Sequence, residues 1–380
     1  MENLTDIRNE IDKIDDELLA LWLKRMELSK EVAENKKATG KKVTDSAREN
    51  EIVYRLAEKT PEELRIYLKE VYSAIFATGK AYQSVTLSVG SPTIDKVNAL
   101  ISAGLKDFPT TATVACQGVS GSNSEAAAKR VFPILRATYF KTFEGVFSAV
   151  DKGLCKYGVL PIENSNAGSV IPVYDLMKKY NFHIVRAVRL QINHALCAVG
   201  GATMKDIKTV YSHPQALSQC AEFIKKAGLN AVEAENTATA AKELAERGVK
   251  SEAVLCSVEC AEKYGLNILE RSVQDNAFNY TRFIVISKDL ELYPESDKIS
   301  VLTSLSHEPG SLNRTLARFA ALGLNLTKIE SRPISGTEYE FMFYFDFEGS
   351  VVSKNVQTVI AELENGSDNF VLLGSYKEVL

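Results

Sequence analysis

Apolar side chains near the start of the chain recur at alternating steps of four and three residues. They are Ile7, Ile11, Ile14, Leu18, Leu21, Leu28 and Val32. This heptad spacing predicts one helix from Ile7 to about Lys36, roughly 45 Å long at 1.5 Å per residue. A second helix is predicted from near Asp45, and a third from "TPEEL", capped by Thr60, to about Gln83. Two shorter helices cannot cover so long a stripe, so we expect it to pack against its copy in a second chain.

Two further patterns follow along the chain. From residue 111, short apolar strands alternate with helices in two similar runs, which predicts an α/β fold with a largely parallel sheet, two lobes and a cleft. After "LELYPESD" the order becomes strand, helix, strand, strand, helix, strand, the ferredoxin-like βαββαβ arrangement of an α+β unit. The sequence thus predicts a multidomain protein: an all-α three-helix domain at 1–85, a linker at 86–110, a two-lobed α/β domain at 111–290 and a ferredoxin-like domain at 297–380.

Composition narrows the class of protein. Of the 380 residues 45% are hydrophobic and 25% charged, as in soluble globular proteins, and a net charge of −4 gives no reason to expect nucleic acid as a partner. No apolar run is long enough to span a bilayer, and the charged start resembles neither a secretory nor a transit signal, so we expect a cytoplasmic protein without membrane contact. The six cysteines and four histidines lack metal-ligand spacing, so neither a metal nor a cofactor is expected.

The helical segment carries basic residues where a core would have apolar ones. Arg8, Arg25, Lys36 and Arg48 fall on or beside packing faces, and Gln83 adds a neutral donor. One alternative is interhelical salt bridges with nearby acids, since an unpaired buried cation is costly. As a set, these residues indicate an enclosed pocket with guanidinium groups for carboxylates and donors for an oxygen.

The run "IRNEIDKIDDELLALWLKR", followed by a lysine, "VTDSARE" and a distal glutamine, resembles the all-helical chorismate mutases. The resemblance implies a Claisen rearrangement of chorismate to prephenate, which requires binding and electrostatic stabilisation only. It implies that carboxylates are bound by Arg25, Arg48 and, from the partner chain, Arg8. It implies that Lys36 and Gln83 donate to the ether oxygen and that Asp45 and Glu49 position the ring hydroxyl. Gly79 stands where many related mutases have serine.

Four stretches of the central segment, "CQGVSGSNSEAAA", "PIENSNAGSV", "VYSHPQALSQC" and "NYTRF", resemble the prephenate dehydratases. Each also has a simpler interpretation: the first as glycine turns with Ser122 and Glu125 in a capping box, and His213 as a packed histidine before a helix. The resemblance implies decarboxylation and dehydration of prephenate to phenylpyruvate.

Residue roles in the central segment follow from this resemblance. Thr281 would donate a hydrogen bond to the leaving hydroxyl, Arg282 would anchor a carboxylate or tune that site, and Phe283 would pack against the ring. The remaining hydrogen bonds would come from Ser122, Ser124, Asn164 and Ser165. Asn123 stands where many relatives have an aromatic residue.

The stretches "HEPGSLNRTLARF" and "LTKIESRP" resemble the amino-acid-binding ACT domain. The resemblance implies that L-phenylalanine binds as an inhibitor at the turn into the first helix, with one wall formed by Pro309, Gly310, Ser311 and Leu312 and the other by Glu330 and Ser331. The ACT family carries alanine where this chain has Ser311. A ferredoxin-like unit that only dimerises is the alternative.

Together these resemblances imply a bifunctional enzyme of phenylalanine biosynthesis that uses chorismate and prephenate as substrates and L-phenylalanine as effector. A homodimer is expected, with a tetramer as a further possibility. Two alternatives remain open at this stage: the central domain acts on arogenate instead, or its cleft is a non-catalytic amino-acid-binding module.

Overall fold

A computed structural model describes residues 3–39, 45–86, 90–333 and 341–380. The helical domain consists of α1 (Leu4–Thr39), α2 (Ser46–Ala57), a 3-10 turn (Glu62–Leu64) and α3 (Arg65–Thr86). The long first helix is therefore confirmed. The side chain of Asp45 caps α2 by accepting from the N–H of Arg48. The predicted cap of the third helix is wrong, because the Thr60 hydroxyl donates to the Leu56 carbonyl at 2.8 Å and so terminates α2 instead.

Two faces of α1 differ in what covers them. Ser29 and Ala33, in the second half, are buried where α1 packs against α3. The seven residues of the predicted apolar stripe, in contrast, are 42–66% exposed in the single chain. A continuous apolar surface of this kind is unusual on a monomeric protein. The partner chain expected from the sequence would cover it, and this remains a prediction.

The first lobe of the central domain has a helix on each side of its sheet. Its elements are β1 (Thr111–Gln117), α5 (Asn123–Val131), β2 (Ile134–Phe140), α6 (Phe143–Asp151), β3 (Tyr157–Asn164), β4 (Gly168–Ser169), α7 (Ile171–Tyr180) and β5 (His183–Gln191), preceded by α4 (Pro92–Ser102). One face of the sheet is packed by α5 and the other by α6 and α7. Each face therefore buries its own apolar layer.

The second lobe follows without a long connection. Its elements are β6 (Ala195–Ala198), β7 (Thr209–Ser212), α8 (Pro214–Gln219), α9 (Ala221–Ala227), β8 (Asn230–Glu233), α10 (Thr237–Arg247), β9 (Glu252–Cys256), α11 (Val258–Lys263) and β10 (Asn267–Glu270). They form a sheet in the order β10-β6-β9-β7-β8. The chain then returns to the first lobe as β11 (Tyr280–Ser287), which lies between β3 and β5.

Two lobes are confirmed, but the expectation of a largely parallel sheet is wrong. In the first lobe β1 is parallel to β2 and β3, whereas β11 is antiparallel to both of its neighbours. In the second lobe β7 is parallel to β8 and β9, whereas β6 is antiparallel to β9 and β10. The cause is the chain path: β11 arrives from the other lobe rather than through a crossover helix, which parallel neighbours require.

The C-terminal unit has the predicted βαββαβ order. It comprises β12 (Lys298–Ser304), α12 (Ser311–Ala321), β13 (Leu326–Pro333), β14 (Phe341–Glu348), α13 (Lys354–Asn365) and β15 (Phe370–Val379). Its antiparallel strands lie in the order β13-β14-β12-β15. The end of β15 also pairs in parallel with β5, where Lys377 lies opposite Arg186. One hydrogen-bonded sheet thus runs through both units.

Part of the predicted linker belongs to the core of the C-terminal unit. Val97, in α4, is fully buried in the same apolar cluster as Phe319 and Phe345. The Thr93 hydroxyl donates to the Glu364 carboxylate at 2.6 Å, which ties the start of α4 to the end of α13. Within the described residues, no helix is both long enough and apolar enough to cross a membrane.

Candidate active sites

A cavity of about 310 Å³ lies between the two lobes of the central domain. Its wall in the first lobe includes Gly118, Ser122, Asn123, Ser124, Asn164, Thr281 and Phe283. Its wall in the second lobe includes His213, Gln215, Gln219, Glu235 and Thr237. Among the polar side chains of this wall amides and hydroxyls predominate, and such groups donate hydrogen bonds to carboxylate and hydroxyl oxygens.

Asn164 and Thr281 form the best-defined pair in this cavity, and both are at least 90% buried. The side-chain oxygen of Asn164 accepts from the backbone N–H groups of Asn166 (3.1 Å) and Ala167 (3.0 Å), which fixes the orientation of its amide. Its Nδ2 consequently donates to Thr281 Oγ1 at 2.9 Å. Since the Thr281 oxygen is the acceptor in this bond, its hydroxyl proton is available to another partner in the cavity.

A chain of polar groups continues from this pair into the second lobe. Asn164 Nδ2 also donates to Asn279 Oδ1 (2.9 Å), and Asn279 Nδ2 donates to Gln219 Oε1 (2.9 Å). The Nε2 of His194, 3.1 Å from the same Gln219 oxygen, completes the chain, and burial lowers the pKa of this histidine. Sequence reasoning did not select Asn279, Gln219 or His194 as site residues. For Gln219 and Asn279 the available signal was an amide side chain inside "SHPQALSQC" and "NYTRF".

The glycine turn before α5 is held by a buried carboxylate. Gly118 and Gly121 have φ values of 97° and 90°, which favour glycine, and Ser122 caps α5 as predicted. Glu125, however, accepts from the N–H of Gly121 (2.5 Å) rather than from that of Ser122, so only half of the expected capping box forms. Burial alone would raise the pKa of Glu125, but the Gly121 N–H and the Lys129 ammonium lower it to about 2. The turn is thus tied to the helix that follows it.

His213 has the structural role inferred from its sequence context. Its Nδ1 accepts from the N–H of Gln215 at 3.2 Å and so caps α8. Burial lowers the pKa of His213, which favours the neutral ring that this cap requires. The ring also forms part of the cavity wall.

Arg282 does not face the cavity. Side chains alternate along a strand, so Thr281 and Phe283 point to the cleft and Arg282 points to the opposite face of the sheet. There its guanidinium pairs with Asp346 (2.5 Å) and Glu378 (2.8 Å) of the C-terminal unit. The prediction that Arg282 anchors a substrate carboxylate beside Thr281 is therefore wrong in this structure.

Ser165 also lies outside the cavity wall. Its hydroxyl donates to the Phe278 carbonyl (3.1 Å) and accepts from the N–H of Tyr280 (3.0 Å). It fastens the loop after β3 to the start of β11. The role predicted for it, a hydrogen bond to the ligand, is replaced by a structural one.

In the helical domain some of the residues predicted for the mutase site lie close to helix α3. Arg25 lies against α3, with Nη1 3.4 Å from the Ile75 carbonyl and Cζ 5.6 Å from the Phe76 ring centre. Among the described residues Arg25 makes no ion pair, so the salt-bridge alternative does not account for it. The buried Oε1 of Gln83 has no hydrogen-bond partner there either. Lys36 is half-buried on the second half of α1.

The other predicted mutase residues have different surroundings. Arg48 is exposed and pairs with Glu51 at 2.7 Å, and this contact raises the pKa of Arg48. Glu49 pairs with Lys80 at 2.9 Å, a half-buried contact that the sequence analysis missed. Arg8 is exposed near the start of α1, and 17 residues of helix place it about 25 Å from Arg25. Within a single chain Arg8 therefore does not reach the mutase residues around Arg25.

A second cavity of about 360 Å³ lies beside the turn into α12. Its wall includes Pro309, Ser311, Leu312 and Phe343, and Gly310 caps the helix with a φ of 80°. Glu330 and Ser331, expected on the facing side, lie in β13 and do not line this cavity in the single chain. Strand pairing with β14 fixes their position, so that expectation is wrong for one chain taken alone.

Strand β13 instead contacts the wall of the interlobe cavity. Ser169, in β4, donates to Glu330 at 2.7 Å and lies 2.9 Å from the Lys328 ammonium. Lys328 also pairs with Glu163 at 3.0 Å. Because Ser169 lines the cavity, the C-terminal unit is in direct contact with that site.

Comparisons with known proteins match the helical and central domains to family models and the full length of the chain to a relative. Residues 7–84 match the family model for chorismate mutase type II and residues 114–291 that for prephenate dehydratase. The bifunctional chorismate mutase/prephenate dehydratase of Aquifex aeolicus is 33% identical over 100% of this chain and 99% of its own length. Arogenate dehydratase/prephenate dehydratase 2 of Arabidopsis thaliana is 39% identical over 69% of this chain and 72% of its own. The crystal structure of a prephenate dehydratase from Arthrobacter aurescens in complex with L-Phe superposes with a TM-score of 0.64 at 30% identity, over 70% of this chain and 89% of that one.

Proposed function

This chain belongs to the family of bifunctional chorismate mutase/prephenate dehydratases, and from that premise we propose how its residues perform the two reactions. The helical domain rearranges chorismate to prephenate, and the central domain converts prephenate to phenylpyruvate in the cytoplasm. The observation that carries the second assignment is the Asn164–Thr281 bond, which leaves the Thr281 proton free for the cavity.

In the dehydratase reaction, the bond from the ring to its carboxylate breaks and CO2 leaves. The electron pair of that bond enters the ring, and the opposite C–O bond breaks to release hydroxide, which takes a proton from solvent to become water. Thr281 donates a hydrogen bond to the departing oxygen. Because an unperturbed hydroxyl is a very weak acid, Thr281 stabilises the developing charge rather than transferring its proton.

The first lobe supplies the rest of this site. Ser122 and Ser124, at the N-terminus of α5, bind a carboxylate, where the helix dipole favours negative charge. Phe283 packs against the ring and Asn164 orients Thr281. Since Arg282 faces the C-terminal unit, carboxylate binding relies on neutral donors and the helix terminus.

In the mutase reaction, Arg25 binds a carboxylate of chorismate, and Lys36 and Gln83 donate to the ether oxygen. The buried Oε1 of Gln83 has no partner among the described residues, which is costly unless a ligand group donates to it, and the NH2 of the same amide is the group that donates to the ether oxygen. Two copies of α1 pack along their apolar stripes, and Arg8 of the partner chain completes the site. The functional unit is accordingly a homodimer.

Residues around α2 complete the mutase site. Arg48 exchanges its exposed contact with Glu51 for a substrate carboxylate. Asp45 and Glu49 position the ring hydroxyl, with Glu49 held by Lys80.

L-phenylalanine binds beside the turn into α12 and inhibits the enzyme. The cavity lined by Pro309, Ser311 and Leu312 has room for such a ligand, and the helix N-terminus, capped by Gly310, attracts its carboxylate. The Arthrobacter relative was crystallised with L-Phe. A second chain would have to bring Glu330 and Ser331 to this cavity.

Arogenate is a second candidate substrate of the central domain. It carries an ammonium group where prephenate has a keto group, and the Glu235 carboxylate in the cavity wall would attract that ammonium. The plant relative is named for both activities. Competition between the two substrates in one assay would rank them.

The decisive assay follows phenylpyruvate formation from prephenate by ultraviolet absorbance. We expect turnover by the wild-type chain and a large loss in Thr281→Ala, with chorismate mutase turnover preserved. A wild-type chain that binds prephenate without producing phenylpyruvate would instead indicate a binding module.

A further inference from the structure

Helix α3 contains a glycine, Gly79, in its interior. A glycine there destabilises a helix by about 1 kcal/mol relative to alanine, so its presence calls for a local reason. The surroundings provide one: a Cβ at residue 79 would lie 3.3 Å from Arg25 Nη1 and 3.5 Å from Ser29 Oγ. Gly79 therefore leaves room for a guanidinium and a hydroxyl that converge on it from α1.

Ser29 is the unexplained member of this group. It lies one helical turn after Arg25, on the same face of α1, and is only 8% exposed. An apolar residue would be the usual choice at such a buried helix contact. Its hydroxyl donates to the Arg25 carbonyl at 3.0 Å, the local bond that a helical serine makes by default.

That local bond is easily exchanged. The Arg25 carbonyl is part of the helix, so the serine bond is additional to the backbone pattern, and the hydroxyl hydrogen rotates about the Cβ–Oγ bond at little cost. A carboxylate bound to Arg25 would offer Ser29 a charged acceptor, and hydrogen bonds to charged groups are stronger than neutral ones. Arg25, which lacks an ion pair among the described residues, would supply the positive charge.

We propose that Ser29 is a substrate-binding residue of the mutase site, donating to the same carboxylate that Arg25 binds. In this chain the hydroxyl that many related mutases carry at position 79 comes from the opposite helix, and Gly79 provides the space for it. This assignment rests on the mutase function proposed above.

The test moves the hydroxyl from one helix to the other. Ser29→Ala removes only the oxygen and suits a helix, so we expect a folded chain whose mutase kcat/KM falls about tenfold, mainly through KM. The dehydratase turnover of the same chain should not change. Adding Gly79→Ser to Ser29→Ala places a hydroxyl on α3 where the Ser29 oxygen no longer occupies the neighbouring space, and it should restore most of the loss once the Arg25 guanidinium shifts by a few tenths of an ångström.

Gly79→Ser alone should lower mutase kcat/KM, because its hydroxyl and that of Ser29 would then have to share the space beside Arg25. The matched control is Thr78→Ala, which removes an exposed hydroxyl bonded to the Ala74 carbonyl at 3.0 Å on α3. It should leave both activities unchanged.

Two results would overturn the assignment of Ser29. One is a Ser29→Ala chain with wild-type mutase kcat/KM, and the other is a double variant that stays as slow as Ser29→Ala, which would make the serine a packing residue. A wild-type chain without chorismate turnover would overturn the mutase function itself and Ser29 with it, so the two failures are distinguishable.

Discussion

Replacing Asn164 by aspartate tests the orientation of the Thr281 hydroxyl. N164D keeps the shape of the side chain and the oxygen that accepts from Asn166 (3.1 Å) and Ala167 (3.0 Å). It replaces the amide nitrogen, which donates to Thr281 at 2.9 Å, with an acceptor oxygen. The Thr281 hydroxyl would then donate to residue 164, and its proton would no longer point into the cavity.

The expected loss of dehydratase activity in N164D follows from the role of the Thr281 hydroxyl proton. Loss of one oriented donor to a developing negative charge lowers kcat by about 10² to 10³ (about 2.7–4 kcal/mol). A simple loss of one neutral hydrogen bond, without this role, would cost only about 1 kcal/mol, or roughly fivefold. We therefore expect at least a hundredfold loss of dehydratase kcat in N164D at neutral pH.

The pH dependence provides a second check with a definite sign. Two backbone N–H donors favour the ionised form of the introduced carboxylate, so it is charged at neutral pH. Once protonated it regains an O–H that can donate to Thr281, as the amide does. Residual activity of N164D relative to wild type should therefore rise as the pH falls.

The assay is phenylpyruvate release from prephenate, with the enzyme-free reaction subtracted at each pH and mutase turnover as an internal measure of folding. N166D is the matched control, since Asn166 lies in the same loop and is exposed; its activity should stay within twofold of wild type. Dehydratase turnover of N164D within fivefold of wild type would refute the proposed role of the Thr281 proton.

Three further outcomes are expected. Lys36→Ala should lower mutase turnover at least a hundredfold and spare the dehydratase, and equal loss of both would contradict separate sites. The pKa of Glu125 is lowered to about 2 from an ordinary 4.5, so its contacts stabilise the fold above pH 4.5 and this stabilisation is lost as the pH falls to 2. The E125Q variant should therefore unfold at a lower urea concentration than wild type at pH 7, as followed by circular dichroism. Near pH 2 the two chains should not differ. Lys328→Met removes the contacts to Ser169 and Glu163 and should raise the half-inhibitory concentration of L-phenylalanine at least threefold with uninhibited rates preserved; unchanged inhibition would place the coupling elsewhere.

Elements with strong local patterns were predictable from the sequence. The heptad spacing of α1 and the strand and helix order of the C-terminal unit are properties of contiguous residues, and both agree with the structure. The role expected for Thr281 came from the resemblance of "NYTRF" to the prephenate dehydratases, and its side chain lines the interlobe cavity.

The errors arose where distant segments meet. The partners of Arg282 are 64 and 96 residues away, so no local pattern indicates that this arginine faces the C-terminal unit. No local pattern indicates the position of Glu330 either, because its partner Ser169 belongs to another domain. The role of Gln219 was likewise not predictable, because it depends on a contact with the distant Asn279. Period-two alternation along β11 assigns Thr281 and Arg282 to opposite faces, and only the fold shows which face is the cleft.

Strand β15 belongs to the C-terminal unit and also pairs with the central domain, so the two units cannot be separated without exposing a strand edge. It completes the C-terminal sheet and also covers the edge of β5. A shortened chain that ends before Phe370 would leave the backbone N–H and C=O groups at that edge available to any other extended peptide, and such edges promote self-association. Loss of strand β15 would therefore first be seen as poor solubility of the dehydratase unit, well before any question of inhibitor response arose.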